Sequence, residues 1–292
     1  TTVHNFITKH FSWDNTHAIK SEIAGKEAYE MMSGTVADIN LTLVAAMRSC
    51  DIDAYPVILS TRGHGVVNEL YPNSDEFNYV IVAVVDGEKT YLCDATTKLP
   101  FGQLPLKCRN GKGWLVKEKG EWIDLKADSK YQTTTMLTAE IVGDKIVTHV
   151  AQRKMNYAAA DTYQEILATT EQGYTEDLTE NFTDGNVEAL ELPKVDFEKA
   201  ATIKYDLVKE NKNADIIYFQ PIQLGSILEN PFQRTERFSV IDFPYTQSYH
   251  VIFNFDVPEG YTAELPEATI VKLPAEQGEF SYNVSQTGNK IN

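Results

Sequence analysis

Val3, Phe6, Ile7 and Phe11 recur at helical spacing, which predicts an amphipathic helix over residues 2–11. A second short helix is expected over 26–32, and a third from Thr35 to about Cys50. The third carries Val36, Ile39, Leu41, Leu43, Val44, Ala45, Ala46 and Met47 on most of its faces, the pattern of a helix buried at the centre of a domain. Thr35 is a good N-cap, and Asp38 three residues later completes a capping-box pair. The period then changes. Residues 54–61, 77–85 and 88–94 read as strands, the last two joined at Asp86-Gly87, a strong hairpin signal. Helices followed by adjacent antiparallel strands predict an α+β domain over 1–120, closed by the Gly-rich stretch Asn110-Gly111-Lys112-Gly113.

The remaining part, 121–292, reads as a mostly β domain. Strands are expected at 135–142 and 145–152 around a Gly143-Asp144 turn, and at 202–209, 216–220, 249–257 and 280–285. One helix is expected over 156–169, and the acidic segment 171–200 reads as loop-rich. The chain opens Thr1-Thr2-Val3 already in a helical pattern, so it reads as a fragment of a longer protein that has lost an upstream part.

Charge narrows the function classes. The chain has 26 Lys+Arg against 42 Asp+Glu, a net charge of -16. Such a surface repels phosphate backbones and anionic lipid, which argues against nucleic-acid and membrane-surface partners. No stretch approaches the ~20 apolar residues of a membrane span. The three cysteines, Cys50, Cys93 and Cys108, are too few and too odd for a disulfide scaffold. The six histidines show no metal-ligand spacing and no phosphate-binding Gly motif is present, so neither a metal nor a cofactor is expected.

Three positions carry the chemical argument. With Thr35 as cap, Val36 is the first helical residue, where free N–H groups and the helix dipole favour negative charge. A cysteine there would attack as a thiolate; an isopropyl group can only pack. A two-residue Asp86-Gly87 turn pairs Val85 with Glu88, and counting back sets Tyr79 opposite Asp94 on one face, Cβ atoms ~5 Å apart. That is the distance at which a carboxylate orients a histidine. Tyr79 is a phenol with an ordinary pKa near ~10 and a poor base.

The blocks Gly34-Thr35-Val36-Ala37-Asp38-Ile39-Asn40, Ser60-Thr61-Arg62-Gly63, Phe77-Asn78-Tyr79-Val80-Ile81-Val82, Tyr91-Leu92-Cys93-Asp94-Ala95-Thr96 and Leu104–Gly111 together resemble the core of the transglutaminase-like family, with its papain-type Cys-His-Asp arrangement. The resemblance implies a core of helices packed on an antiparallel sheet. It sets the nucleophile at Val36 and the base at Tyr79, and leaves only Asp94. Asn230-Pro231-Phe232, Val257-Pro258-Glu259-Gly260-Tyr261 and Glu264-Leu265-Pro266 resemble the tail of a bacterial subgroup in which that core is followed by a β-rich module of unknown function. Such proteins are typically cell-envelope proteins, which implies a periplasmic or secreted setting.

The resemblance makes Thr35, Asp38, His64 and Asn78 the candidate lining of the old cleft. The reading that follows is a catalytically degenerate module that binds a peptide, glycopeptide or protein partner, or serves as a structural spacer. The alternative is an active amidase, peptidase or acyltransferase using relocated residues among Asp94, His64 and Cys108. Three plain readings stand beside these: a helix-start hydrophobe at 36, a turn acid at 94 and a surface histidine at 64.

Overall fold

Each helix near the start of the chain has one face it must cover. In the computed structural model, Thr2–His10 (α1) buries His4 and Ile7 and ends at Phe11. Ser12–Trp13 (β1) bridges in parallel to Ser33–Gly34 (β2), on either side of the short helix Gly25–Met31 (α2). Val36–Ser49 (α3) starts at a capping box between Thr35 and Asp38, as expected. Its buried residues Val36, Ile39, Asn40, Leu43 and Met47 pack onto the antiparallel strands Ala54–Leu59 (β3) and Tyr79–Asp86 (β4). Lys89–Cys93 (β5), Lys112–Leu115 (β6) and Glu121–Asp124 (β7) complete a five-stranded sheet in the order β5-β4-β3-β6-β7. The structure describes all residues except 127, 128, 181, 183, 184, 212–215, 222–231, 234 and 237–240.

Two expectations for this region need correcting. The domain does not end at 120. The chain divides into one unit of Thr1–Tyr131 with Phe238–Gln247 and another of Gln132–Arg237 with Ser248–Asn292. The Gly-rich stretch does not close it: Gly113 sits in β6 where a Cβ would lie 2.7 Å from Val57 Cγ1, so glycine there permits the close approach of β6 to β3. Trp114 and Trp122 then pair across β6 and β7.

The hairpin register also differs. Asp86 pairs with Lys89, Ala83 with Leu92 and Val82 with Cys93, so the two loop residues are Gly87 and Glu88. Gly87 has φ +61 and Glu88 does not have positive φ, which is the II′ pattern with glycine first rather than Asp-Gly at the centre of a I′ turn. The slip is two residues. Because strand faces alternate with period two, Tyr79 and Asp94 keep the same face, now as diagonal neighbours.

In the second unit, Tyr131–Val142 (β8) and Lys145–Asn156 (β9) form a long hairpin around Gly143-Asp144, followed by Tyr157–Ala168 (α4). The segment expected as loop-rich contains Glu171–Glu180 (α5) and Asn186–Glu191 (β10). Only Tyr174 and Leu178 of α5 turn into the core, so the apolar stripe is too narrow to stand out among the acidic residues. Ala201–Glu210 (β11) and Gln247–Asp256 (β12) join the sheet, whose order is β10-β11-β9-β8-β12 followed by the two-residue strands Lys290–Ile291 and Gln286–Thr287. The expected strand at 216–220 is absent; those residues form no ladder. Thr269–Lys272 (β13) and Glu279–Tyr282 (β14) form a separate hairpin; the Gln286–Thr287 and Lys290–Ile291 strands are β15 and β16. The architecture is thus α+β, and among the described residues no helix is long and apolar enough to cross a membrane.

Candidate functional site

The start of α3, the inner end of β4 and the turn after β5 meet in the first unit. Val36 is fully buried and shares a core cluster with Leu59, Tyr79, Val80, Leu104 and Cys108. Its N–H, the first unpaired donor of the helix, is not free: it donates to the Thr16 carbonyl at 3.1 Å. The indole Nε1 of Trp13 donates to the same oxygen at 3.1 Å. Two N–H groups aimed at one oxygen form the arrangement that stabilises a developing oxyanion. Here the oxygen belongs to the chain's own backbone.

Below lies a buried polar network around Asp94, none of whose surface is exposed. Oδ1 accepts from the Asn40 amide and the Thr96 backbone N–H, each at 2.9 Å. Oδ2 accepts from the Tyr79 hydroxyl at 2.7 Å and has the Thr96 hydroxyl at 3.0 Å. Asn40, one turn into α3 from Val36, also donates to Val80 O and accepts from Ala95 N. His4 Nε2 donates to the Asp94 carbonyl at 3.3 Å. A buried carboxylate surrounded by donors is the arrangement that offsets its desolvation. Burial, then the neighbouring Asp94 charge, pushes the Tyr79 phenol far above its ordinary range. Tyr79 is therefore a hydrogen-bond donor here and not a base.

Above the network sits a rim of side chains that sequence reasoning missed. The Lys107 ammonium lies 3.6 Å from the centre of the Trp13 ring and 4.7 Å from that of Tyr79. His17 stacks on Trp13 at 5.6 Å and meets Tyr79 edge-on at 5.3 Å. Asn78 ties the rim down: its Oδ1 accepts from Thr61 N at 2.9 Å, and its Nδ2 reaches Thr61 Oγ1 at 2.9 Å and His17 Nδ1 at 3.1 Å. Burial lowers the Lys107 pKa, with Asp94 and Cys108 acting in the opposite direction. Burial, then Lys107, then His64 lowers that of His17.

The other expected residues divide by location. Thr35 and Asp38 are committed to the helix cap: Asp38 Oδ2 accepts from Thr35 N and Oγ1, and Oδ1 accepts from Ser21 Oγ. Asn78 belongs to the rim. His64 is exposed, with Nε2 3.3 Å from Asp75 O. Cys108 is fully buried, and burial, then the Asp94 charge, raises its thiol pKa well above the ordinary value. Cys93 lies in the other core cluster of this unit and its pKa is likewise raised by burial. Both are in surroundings that favour the inert thiol over the nucleophilic thiolate. Asn40 carries the one signal that could have been read, an amide side chain inside an otherwise apolar helix start. Trp13, His17 and Lys107 lie in stretches without periodicity, and no local pattern marks them. Among the described residues no group of three His, Cys, Asp or Glu side chains is placed to hold a metal ion.

Comparison with known proteins adds one finding at the other end of the chain. Residues 215–292, less than half of the sequence, match the model of a domain of unknown function, DUF3858. No curated protein and no solved structure matches the chain.

Proposed function

We propose that this chain is a catalytically degenerate member of the transglutaminase-like superfamily and serves as a binding or structural module of the bacterial cell envelope, in a periplasmic or secreted setting. The observation that carries the proposal is the meeting of Val36, Tyr79 and Asp94: a helix-start position and a carboxylate-bonded position share one buried cluster, furnished with an aliphatic and a phenol. Two features support the loss of chemistry. The donors Val36 N–H and Trp13 Nε1 are already taken by Thr16 O. Val36, Tyr79 and Asp94 have no exposed surface for a substrate to reach.

The test is turnover. The purified chain is incubated with a fluorogenic peptide panel and with a thiol-reactive active-site probe, beside Asp94→Asn as control. No cleavage above the control and no labelling beyond the exposed Cys50 is the expected result. Turnover that Asp94→Asn abolishes while its fold is retained would overturn the proposal in favour of an enzyme using relocated residues.

A further inference from the structure

The chain carries an excess of acidic side chains, and several cations of the first unit sit beside one. Arg62 pairs with Asp242 at 2.8 Å, Lys112 with Glu69 at 2.7 Å, and Lys117 with Glu121. Lys107 is not among them. It is half-buried, yet among the described residues no carboxylate lies within ion-pair distance. The carboxylate whose charge acts on it, Asp94, spends its oxygens on Asn40, Thr96 and Tyr79. Lys107 is held instead against the rings of Trp13 and Tyr79.

His17 contacts the same two rings. Its tautomer follows from Asn78. The Asn78 Oδ1 accepts from Thr61 N, so the Asn78 NH2 faces His17, whose Nδ1 must accept. The ring proton is then on Nε2, which has no hydrogen-bond partner among the described residues, and His17 is an exposed residue. The charged groups acting on His17 are both basic, Lys107 and His64. Asp14, the acid of the 13–18 segment, turns back to accept from Thr16 N at 2.8 Å. In a chain of net charge -16 this rim is a local reversal of sign.

We propose that Lys107 and His17 form a carboxylate-binding site, with Trp13 as its apolar wall, that takes a peptide bearing a free carboxylate. The ammonium and the Nε2–H supply two donors, one of them charged, to a single monoanionic group. One formal positive charge suits a monoanion; a phosphate dianion or a polyanion would face the field of the whole acidic chain. The site lies on the rim because the floor, at Val36 and Tyr79, is closed. The inference rests on reading the protein as a binding module and names what it binds.

Three short peptides separate the sources of the carboxylate: penta-alanine with a free C-terminus, the same peptide amidated, and an acetylated and amidated pentapeptide with one central Glu. Each is titrated into the intact chain while the ring protons of His17, assigned by loss in His17→Gln, are followed by NMR. The expected result is that at least one acidic peptide shifts His17 saturably and the amidated alanine peptide does not. The free C-terminus moving it alone identifies a terminal carboxylate as the ligand; the Glu peptide moving it alone identifies an acidic side chain. Lys107→Met keeps an unbranched side chain and removes the charge, and is expected to weaken binding by about tenfold or more. The proposal is overturned if the amidated peptide binds as well as the acids, if Lys107→Met leaves the affinity unchanged, or if no peptide binds up to about 10 mM. Cleavage in the same tubes, read by mass spectrometry, counts against catalytic degeneracy and not against the carboxylate site, so the two readings fail separately.

Discussion

Asp94 shows how a single side chain can hold three elements. Through Asn40, Tyr79 and Thr96 it joins α3, β4 and the turn after β5, and of these Asn40 and Tyr79, like Asp94 itself, are fully buried. Truncation would leave one N–H of the Asn40 amide and the Thr96 backbone N–H without an acceptor, and would leave the Tyr79 hydroxyl with Thr96 Oγ1 alone; each orphaned buried group costs ~1–3 kcal/mol. Asp94→Ala is therefore expected to lower the unfolding free energy by about 2–4 kcal/mol in urea titration. Asp94→Asn keeps an acceptor oxygen and should cost less, which is why it is the better control for turnover. Tyr79→Phe removes one of the donors to Oδ2 and is expected to cost ~1 kcal/mol. An equal loss in Asp94→Ala and Tyr79→Phe would mean that the network is not the unit described. Val36→Cys tests the same region from above. The helix start would favour a thiolate, but burial opposes it and Thr16 O occupies the adjacent N–H. Native Val36→Cys is expected to show only the fast-labelling thiol of Cys50, with position 36 reacting only after denaturant opens the segment above it. A second fast thiol in native buffer would show that the segment 13–17 does not close the site.

Between elements, the sheet of the second unit holds a histidine whose titration can be given a sign. His149 on β9 faces Asp206 on β11, Nδ1 to Oδ1 at 2.7 Å, and Glu140 on β8, Nε2 to Oε1 at 3.4 Å. The Asp206 hydrogen bond raises the His149 pKa; burial works against it, and Glu140 adds to the rise. A raised folded pKa means stability that is fully present below the unfolded value of about 6.5 and is lost as pH rises through the folded value. Melting of the intact chain against His149→Gln from about pH 5 to 9 should show a gap that narrows as pH rises, small because the ring is half exposed. A gap that widens with pH would reverse the assignment.

The same scale shows what the sequence makes legible. The cap at Thr35, the buried helix after it and the Gly143-Asp144 turn all follow from local chemistry and appear where expected. Face parity brings Tyr79 and Asp94 together even though the hairpin register differs by two residues from the one the Asp86-Gly87 turn predicts. β6, β7 and α5 were missed because their stability comes from partners: Gly113 pressed to Val57, Trp114 paired with Trp122, and Tyr174 alone fully turned inward. The rim of Trp13, His17 and Lys107 was not legible at all. It is made by contacts between residues almost a hundred positions apart, with no periodic pattern at either end.

At the scale of the molecule, the first unit is discontinuous. Its body runs to Tyr131, and the described residues 241–247 return to it. Tyr131 N donates to Thr246 O at 2.9 Å, and the Tyr131 and Tyr245 rings stack at 5.4 Å. Arg62 makes the other tie: Nη1 donates to Asp242 Oδ2 and to Arg109 O, and Nη2 to Asp242 O, each at 2.8 Å. The Arg62 N–H in turn donates to Lys107 O at 2.9 Å, so the returning segment is linked through one arginine to the backbone that carries Lys107. The Asp242 side chain is largely exposed, and such a pair is worth at most ~1 kcal/mol. Asp242→Ala in the intact chain should therefore leave the melting temperature nearly unchanged. Its effect should be local: the Arg62 amide, held by Lys107 O, is expected to exchange its hydrogen faster, while amides in the centre of β4 are unaffected. Unchanged exchange at Arg62 would mean that the segment from the far half of the chain rests on the first unit without steadying it.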